Sequence, residues 1–143
     1  MIGAEMDRGG MTERAAVQTD VAPAAIGPYS QAIRAGGLVF TAGQVGAEPS
    51  TGNLLDGIAA QADQALRNLA SVLEAAGTGF DRVVKTTIML VDMADFAAVN
   101  EVYARHISPP YPARTTVAVR ALPKGALLEI EMIALAAQEP AGS

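Results

Sequence analysis

The sequence predicts an α+β fold in which two helices cover one face of a mixed β-sheet. Three observations support this prediction. Strand-like runs at both ends of the chain flank two segments with helical periodicity, and a further strand-like run lies between those two segments. A helix between two strands calls for a crossover and hence for some parallel pairing. The 143 residues, 50% hydrophobic and 17% charged, fit one folded domain of about 100–150 residues.

The first half of the chain predicts short strands followed by a long helix. The predicted strands are residues 16–19, 30–35 and 38–41, the last two joined as a hairpin at Gly36-Gly37. Residues 43–53, rich in Gly, Pro, Ser and Thr, are predicted as a loop. Apolar residues then recur at spacings of three and four over about residues 57–76. This helix has Asp56 as its expected N-cap and Gly77 after its end.

The second half predicts a strand, a short helix and a terminal hairpin. Residues 83–91 have high β-propensity, and Asp92 or Asp95 can cap the helix that follows. Pro109-Pro110 stops this helix. Its expected buried residues are Phe96, Val99, Tyr103 and Ile107. The last two strands, residues 114–121 and 127–136, are predicted to pair around the turn at Leu122 to Gly125.

Alternation within these last strands indicates that one face of the sheet lacks cover. Two helices can cover only the face to which the apolar residues point, here Thr115, Val117 and Val119 of one strand and Leu128, Ile130, Met132 and Ala134 of the other. The opposite face is expected to mix charged and apolar side chains: Arg114, Thr116, Ala118, Arg120, Glu129, Glu131, Ile133 and Leu135. This mixture predicts an oligomer interface with a polar site set into it.

Composition excludes several classes of protein. The absence of cysteine removes disulfides, thiolate nucleophiles and zinc fingers, and a single histidine removes His-rich metal sites. The net charge of −5 has the wrong sign for a nucleic-acid partner. No apolar run reaches the ~20 residues of a membrane-spanning helix, and the N-terminus lacks a secretory signal, so we expect a cytoplasmic protein. We expect a flexible extension at residues 1–14, one domain at residues 15–138 and a tail at residues 139–143.

Pattern alone leaves the roles of the polar residues open. Arg114 can offer its planar fork to a ligand carboxylate or form an ion pair with Glu129 or Glu131 on a neighbouring strand. Glu129 can likewise serve in an interface salt bridge or hold a water. The default roles of three other residues are structural. Packing is expected for Tyr29, a surface position for Asn100, and an interaction with the helix dipole for His106.

Several motifs in register resemble the RidA family, also called YjgF or L-PSP. They cover nearly the whole chain, from about residue 22 to residue 136. The motifs are IGPYSQ from Ile26, LVFTAGQ from Leu38, VKTT from Val84, DFAAVNEVY from Asp95, PART from Pro112, LPKG from Leu122 and EIE from Glu129.

The resemblance implies a chorismate-mutase-like fold with a six-stranded mixed sheet, assembled as a homotrimer with active sites between subunits. It implies hydrolysis of reactive enamines and imines, such as 2-aminoacrylate, to 2-oxo acids and ammonia, without a metal or other cofactor. The implied catalytic residues are Arg114, which binds the carboxylate, and Glu129, which positions water. The implied substrate-binding residues are Tyr29, Ala42, Gly43, Asn100 and Thr116. Ala42 replaces the usual Ser, so one pocket hydroxyl is missing.

Two other functions remain as alternatives. A non-enzymatic sensor or holdase-like protein would use the same pockets for small carboxylates, but would have less use for Glu129 than a hydrolase has. An endoribonuclease or translation inhibitor is the other, and the acidic composition argues against it.

Overall fold

The structure, a computed structural model, describes residues 13–137 of the chain. The strands are β1 (Ala15–Val17), β2 (Ala32–Ala35), β3 (Leu38–Thr41), β4 (Gln44–Val45), β5 (Val83–Leu90), β6 (Ala113–Ala118) and β7 (Leu128–Leu135). The helices are α1 (Ile58–Ala75) and α2 (Phe96–His106), with 3-10 turns at Phe80–Arg82, Met93–Asp95 and Pro123–Gly125. The extension and tail predicted from the sequence lie outside the described residues, apart from residues 13 and 14, and the division of the chain stays a prediction.

One mixed sheet holds the seven strands of residues 13–137. Its order is β1-β2-β3-β7-β5-β6, and β4 also pairs with β7. Within the described part of the chain, β5 and β6 form the one parallel pair, and the other pairs are antiparallel. The α+β class and the mixed sheet are therefore confirmed. The seventh strand, β4, lies in the segment predicted as a loop, because two residues offer too little alternation to distinguish a strand.

The predicted hairpin between the last two strands is wrong. β7 pairs with β3 and β5, whereas β6 pairs with β5 from the other side, so β5 separates β6 from β7. The turn at Pro123–Gly125 does reverse the chain, but residues 119–127 carry it past β5 to the middle of the sheet. Burial gives the physical reason. The helix-facing residues of β7 are almost fully buried, as in a central strand, whereas every residue of β6 is half-buried or exposed, as at an edge.

Strand register corrects the predicted faces of β6. Arg114 lies beside Thr86 of β5, and Thr116 lies beside Ile88, and both β5 residues are buried under the helices. Residues in register on neighbouring strands share a face. Arg114, Thr116 and Ala118 therefore point to the helix side, and Val117 is exposed on the other side. In an edge strand that is half-buried or exposed throughout, the alternation of apolar residues does not indicate which face the helices cover.

We call the side of the sheet away from the helices the open face. Its charged and polar members are Lys85, Thr87, Thr115, Glu129 and Glu131, and its apolar members are Leu38, Phe40, Met89, Val117, Ile133 and Leu135. Phe40, Val117 and Leu135 are each about two-fifths exposed, at 41%, 39% and 42%. The mixture of charged and apolar side chains predicted for the uncovered face is thus present, but without Arg114, Thr116 and Ala118.

Helix α1 forms as its apolar stripe predicts, and its C-terminus follows the expected pattern. Gly77 has φ 84°, and the amides of Gly77 and Thr78 donate to the carbonyls of Glu74 and Leu73 at 2.9 Å each. These bonds form a Schellman motif, which satisfies the last carbonyls of the helix. The predicted N-cap at Asp56 is wrong. The helix starts after Gly57, whose φ of 89° favours glycine, and no side chain caps it.

Helix α2 follows a 3-10 turn that Asp92 caps by accepting a hydrogen bond from the amide of Ala94 at 2.9 Å. Val99, Val102, Tyr103 and Ile107 are buried against the core as this helix packs on α1. Phe96 was expected to be buried, but it is 37% exposed at the start of the helix. No helix among residues 13–137 is long and apolar enough to cross a bilayer.

Candidate active site

Arg114 lies near the start of edge strand β6 and is half-buried. Its guanidinium carbon lies over two aromatic rings of α2, 5.7 Å from the centroid of Phe96 and 5.0 Å from that of Tyr103. No carboxylate in residues 13–137 forms an ion pair with it. The alternative of a cross-strand ion pair with Glu129 or Glu131 is therefore wrong, because β5 lies between the two strands.

The Arg114 side chain lines a cleft of about 350 Å³ at the edge of the sheet. The cleft is lined by Asn100, Tyr103, Ala104, Tyr111, Pro112 and Arg114. Asn100 is half-buried there and is no isolated surface residue, since its spacing from Phe96 and Tyr103 puts the three on one face of α2. Sequence reasoning missed Tyr103 and Tyr111 as lining residues. The same spacing was the available signal for Tyr103, and proximity to Arg114 was the signal for Tyr111.

Glu129 lies on the open face, in register with Met89 of β5 and Val45 of β4. Burial raises the pKa of its carboxyl group, and the negative charge of Glu131 raises that pKa further. No cation within residues 13–137 forms an ion pair with Glu129. A carboxylate in this setting binds a proton more readily than an exposed glutamate does.

Gly43 approaches Glu129 closely, between β3 and β4. A Cβ on Gly43 would overlap the Glu129 carboxylate oxygen and lie 2.6 Å from its Cδ. Only glycine leaves room for the carboxylate at this position. Ala42, the preceding residue, is half-buried, and its amide donates to the carbonyl of Gln31 at 2.9 Å. The structure thus brings together Gly43 and Glu129, two of the residues predicted for the site.

Tyr29 lies elsewhere, on the loop before β2, and is 54% exposed. Its hydroxyl accepts a hydrogen bond from the amide of Ile26 at 3.4 Å. Buried Gln31 holds this loop: its Oε1 accepts from the amide of Thr19 at 2.7 Å, and its Nε2 donates to the carbonyl of Pro23 at 2.8 Å. Packing among residues 13–137 therefore leaves the Tyr29 ring more than half exposed.

Thr116 lies on the same face as Arg114, two residues along β6. Its hydroxyl oxygen is buried and has no hydrogen-bond partner within the described chain. A buried hydroxyl without a partner is uncommon in folded proteins.

One chain therefore divides the predicted site into three places. Asn100, Arg114 and Thr116 lie on the helix side of the sheet edge, Gly43 and Glu129 lie on the open face, and Tyr29 lies on its loop. β6 and β7 are separated by β5, which places their backbones about 10 Å apart. Arg114 and Glu129 also point to opposite faces, so they do not meet within one copy of the chain.

His106 is held outside these places. Its Nε2 lies 2.7 Å from Oδ1 of Asp63 on α1, and its ring meets Phe80 edge-on, with centroids 6.3 Å apart. Hydrogen bonds from Arg67 and then from His106 lower the pKa of Asp63. The histidine thus links the two helices.

Comparison with known proteins identifies the family. The family model described as Endoribonuclease L-PSP matches residues 19–136. This chain belongs to that family, in agreement with the resemblance of its motifs to RidA. It is 49% identical to mouse 2-iminobutanoate/2-iminopropanoate deaminase, over 85% of this chain and 91% of the relative. It is 51% identical to the chloroplastic Reactive Intermediate Deaminase A of Arabidopsis thaliana, over 82% of this chain and 64% of that longer protein.

Solved structures agree with this assignment. RidA from an Antarctic Psychrobacter superimposes with a TM-score of 0.83 at 48% identity, covering 85% of this chain and 98% of that one. TdcF of E. coli with bound serine superimposes with a TM-score of 0.81 at 39% identity, covering 86% and 99%. The predicted fold is confirmed by these matches.

Proposed function

We propose that this chain hydrolyses enamines and imines derived from 2-amino acids to 2-oxo acids and ammonia, at a site that forms where two copies of the chain meet. The observation that carries the proposal is the half-buried guanidinium of Arg114, which opens into a cleft with Asn100 and has no carboxylate partner within residues 13–137. The names of the mouse and Arabidopsis relatives support the same reaction.

Arg114 binds the substrate carboxylate in this proposal. A guanidinium offers two parallel N–H donors to a carboxylate, which fixes both the position and the orientation of the ligand. A fixed carboxylate holds the neighbouring imine carbon at one place. The bound serine in the TdcF structure shows that a related protein accepts a small molecule with a carboxylate.

Glu129 acts on the water. An enamine first becomes an imine, whose protonated nitrogen makes the carbon electrophilic. The water oxygen then bonds to that carbon while Glu129 takes a proton from the water. Glu129 passes that proton to the nitrogen of the resulting carbinolamine. The C–N bond then breaks as the C=O bond of the 2-oxo acid forms, and Glu129 transfers the hydroxyl proton to the departing ammonia. The Glu129 carboxylate is thereby restored, and the products are the 2-oxo acid and ammonium. Burial and the charge of Glu131 raise the pKa of Glu129. This shift moves the pKa towards the operating pH, where a general base is most effective.

A second copy of the chain is needed to bring these groups together. Arg114 lies on the edge strand and Glu129 on the open face, so a neighbour seated on the open face can present its own edge to Glu129. The exposed apolar residues Phe40, Val117 and Leu135 favour such cover. We propose the homotrimer that the family resemblance implies, with Tyr29, Gly43 and Thr116 contributing to each shared pocket.

Ala42 distinguishes this pocket from that of relatives with Ser. Its methyl group offers no hydrogen bond to the substrate or to the attacking water, and it leaves the Arg114 and Glu129 roles unchanged. We therefore expect Ala42 to alter which substrates the pocket prefers.

The direct test is release of ammonia from 2-aminoacrylate generated freshly in the assay. The proposal predicts faster ammonia release than in buffer, with the 2-oxo acid formed in equal amount. Binding of 2-oxobutanoate without any acceleration would overturn the proposal in favour of the sensor alternative. An RNA substrate tested in parallel should remain intact, and cleavage of it that tracks the purified protein would favour the ribonuclease alternative.

A further inference from the structure

Two aromatic residues of α2 contact the face of Arg114. Phe96 and Tyr103 are seven residues apart, which is about 10.5 Å along an α-helix at 1.5 Å per residue. The Arg114 guanidinium carbon lies over both rings, 5.7 Å from the centroid of Phe96 and 5.0 Å from that of Tyr103. Asn100, which lines the same cleft, lies on the same face of the helix between the two rings.

The rings compensate the Arg114 charge without using its hydrogen-bond donors. A half-buried cation needs a favourable partner, and within residues 13–137 no carboxylate provides one. An aromatic ring attracts the guanidinium through its π-face, whereas the N–H donors lie around the edge of the guanidinium plane. A carboxylate partner would instead occupy those donors. Aromatic contact therefore stabilises Arg114 and leaves its fork available to a ligand.

Tyr103 is fixed from two directions. It is 5% exposed, and its hydroxyl donates a hydrogen bond to Oγ1 of Thr86 at 3.0 Å in the core. Thr86 is the register partner of Arg114 on the neighbouring strand. The same strand pair therefore holds both the arginine and the ring beneath it. Phe96 contacts Arg114 from the start of α2, where the ring is 37% exposed.

We infer that Phe96 and Tyr103 are positioning residues, which hold the Arg114 guanidinium so that its fork faces the cleft and receives the substrate carboxylate. This inference rests on the proposed function for the identity of the ligand. The two rings contact the Arg114 guanidinium, and in this inference they act through it. Their loss should therefore weaken binding of the carboxylate and leave the chemistry at the imine carbon largely intact.

The test compares Phe96→Leu with Phe96→Tyr, which keeps an aromatic face, and with Phe80→Leu as a matched control. Phe80 is also a partly buried aromatic residue, but it packs against His106 and lines a different cleft. Phe96→Leu should raise the Kd for 2-oxobutanoate and the KM of the imine substrate about 2- to 5-fold, the size of an exposed cation–π contact, with little change in kcat. Phe96→Tyr should restore both values, and Phe80→Leu should leave them unchanged.

A second readout does not depend on activity. The side-chain Nε–Hε signal of Arg114, assigned through its absence in Arg114→Lys, reports the mobility of the guanidinium by NMR. Its heteronuclear NOE should fall in Phe96→Leu and recover in Phe96→Tyr.

The outcomes separate this inference from the proposed function. A wild-type protein that neither binds 2-oxobutanoate nor releases ammonia would overturn the proposed function, while the NMR measurement would still test the rings. Wild-type binding in Phe96→Leu, with unchanged Arg114 mobility, would overturn the inference alone. An equal loss in Phe80→Leu would also overturn it, because general packing would then account for the effect.

Discussion

Arg114 and Glu129 carry the two proposed catalytic roles, and neither forms an ion pair within residues 13–137. An ion pair between Arg114 and Glu129 within one copy is excluded, because β5 separates their strands and the two side chains point to opposite faces of the sheet. Sequence alone could not show this. A motif identifies residue types, but the pairing of β6 and β7 depends on contacts between distant parts of the chain.

Replacement of Arg114 by Lys should abolish most activity although the charge is kept. Lysine is a point charge and cannot reproduce two parallel bonds to a carboxylate. The loss of one charge-assisted hydrogen bond costs about 1.5–3 kcal/mol, so kcat/KM should fall about 10- to 150-fold. Steady-state kinetics on an imine generated in the assay measures this effect, and light scattering checks that the oligomer is unchanged. Wild-type kinetics in this variant would show Arg114 to be structural.

Glu129→Gln should lower kcat by about 10²–10⁴-fold, because the amide can hold a water but cannot take its proton. Binding of 2-oxobutanoate should persist. The wild-type rate should fall as the pH is lowered through the pKa of Glu129, since only the carboxylate is a base. Burial and Glu131 raise that pKa above the ordinary 4.5, so the fall begins at a higher pH than for an exposed glutamate. The pH profile of kcat measures this limb.

The stability of Glu129→Gln separately checks the direction of the Glu129 pKa shift. A glutamate whose pKa is raised by folding favours the folded state in its protonated form, and this contribution is lost as the pH rises through the folded pKa. Removal of the charge in Glu129→Gln should therefore leave the protein at least as stable as the wild type at neutral pH. If turnover and 2-oxobutanoate binding fell together in this variant, Glu129 would hold the site in place and would not act as a base.

At the scale of elements, local sequence signals predicted the helices and turns that neighbouring residues in the sequence determine. The apolar stripe and Gly77 located α1 and its end, and Gly36-Gly37 located the hairpin of β2 and β3. The errors are at positions where neighbours decide. The turn between β6 and β7 predicts that these two strands pair. Alternate residues of β7 are buried, however, and a strand obtains that burial at the centre of the sheet. The spacing of Phe96 from Val99 and Tyr103 predicts a core position, but the Phe96 ring lies against Arg114.

The contact between the two helices predicts an acid-dependent contribution to stability. Hydrogen bonds from Arg67 and His106 lower the pKa of Asp63, so its carboxylate stabilises the folded state above the unfolded pKa, and this contribution is lost as the pH falls through the folded pKa. Asp63→Asn should lower the free energy of unfolding by about 0.5–1 kcal/mol at neutral pH, as expected for a partly exposed pair.

Urea titrations of Asp63→Asn and the wild type at several pH values measure this difference. The difference should shrink as the pH approaches the folded pKa of Asp63. Asp81→Asn serves as the control, because Asp81 forms no ion pair with another described residue. A difference that stayed constant down to low pH would contradict a role for the Asp63 charge.

At the scale of the whole molecule, one copy of the chain keeps the residues proposed for the site apart. The helix side of the sheet edge carries Arg114, the proposed carboxylate-binding residue, and the open face carries Glu129 beside Gly43. The sequence predicted an interface from the uncovered face, and the structure retains its exposed apolar residues. In a closed ring of identical subunits, every copy meets a neighbour through the same pair of surfaces. Each interface can therefore supply Arg114 from one copy and Glu129 from the next.

Mixing two impaired variants tests this central claim most directly. Arg114→Lys and Glu129→Gln subunits are unfolded and refolded together, and each variant is treated alone as the control. In mixed rings, an interface with Arg114 from the Glu129→Gln subunit and Glu129 from the Arg114→Lys subunit is intact. Random assembly gives this arrangement at about a quarter of the interfaces, so about a quarter of the wild-type activity should return. Mixed oligomers, verified by native mass spectrometry, that stayed as inactive as the separate variants would contradict a shared site.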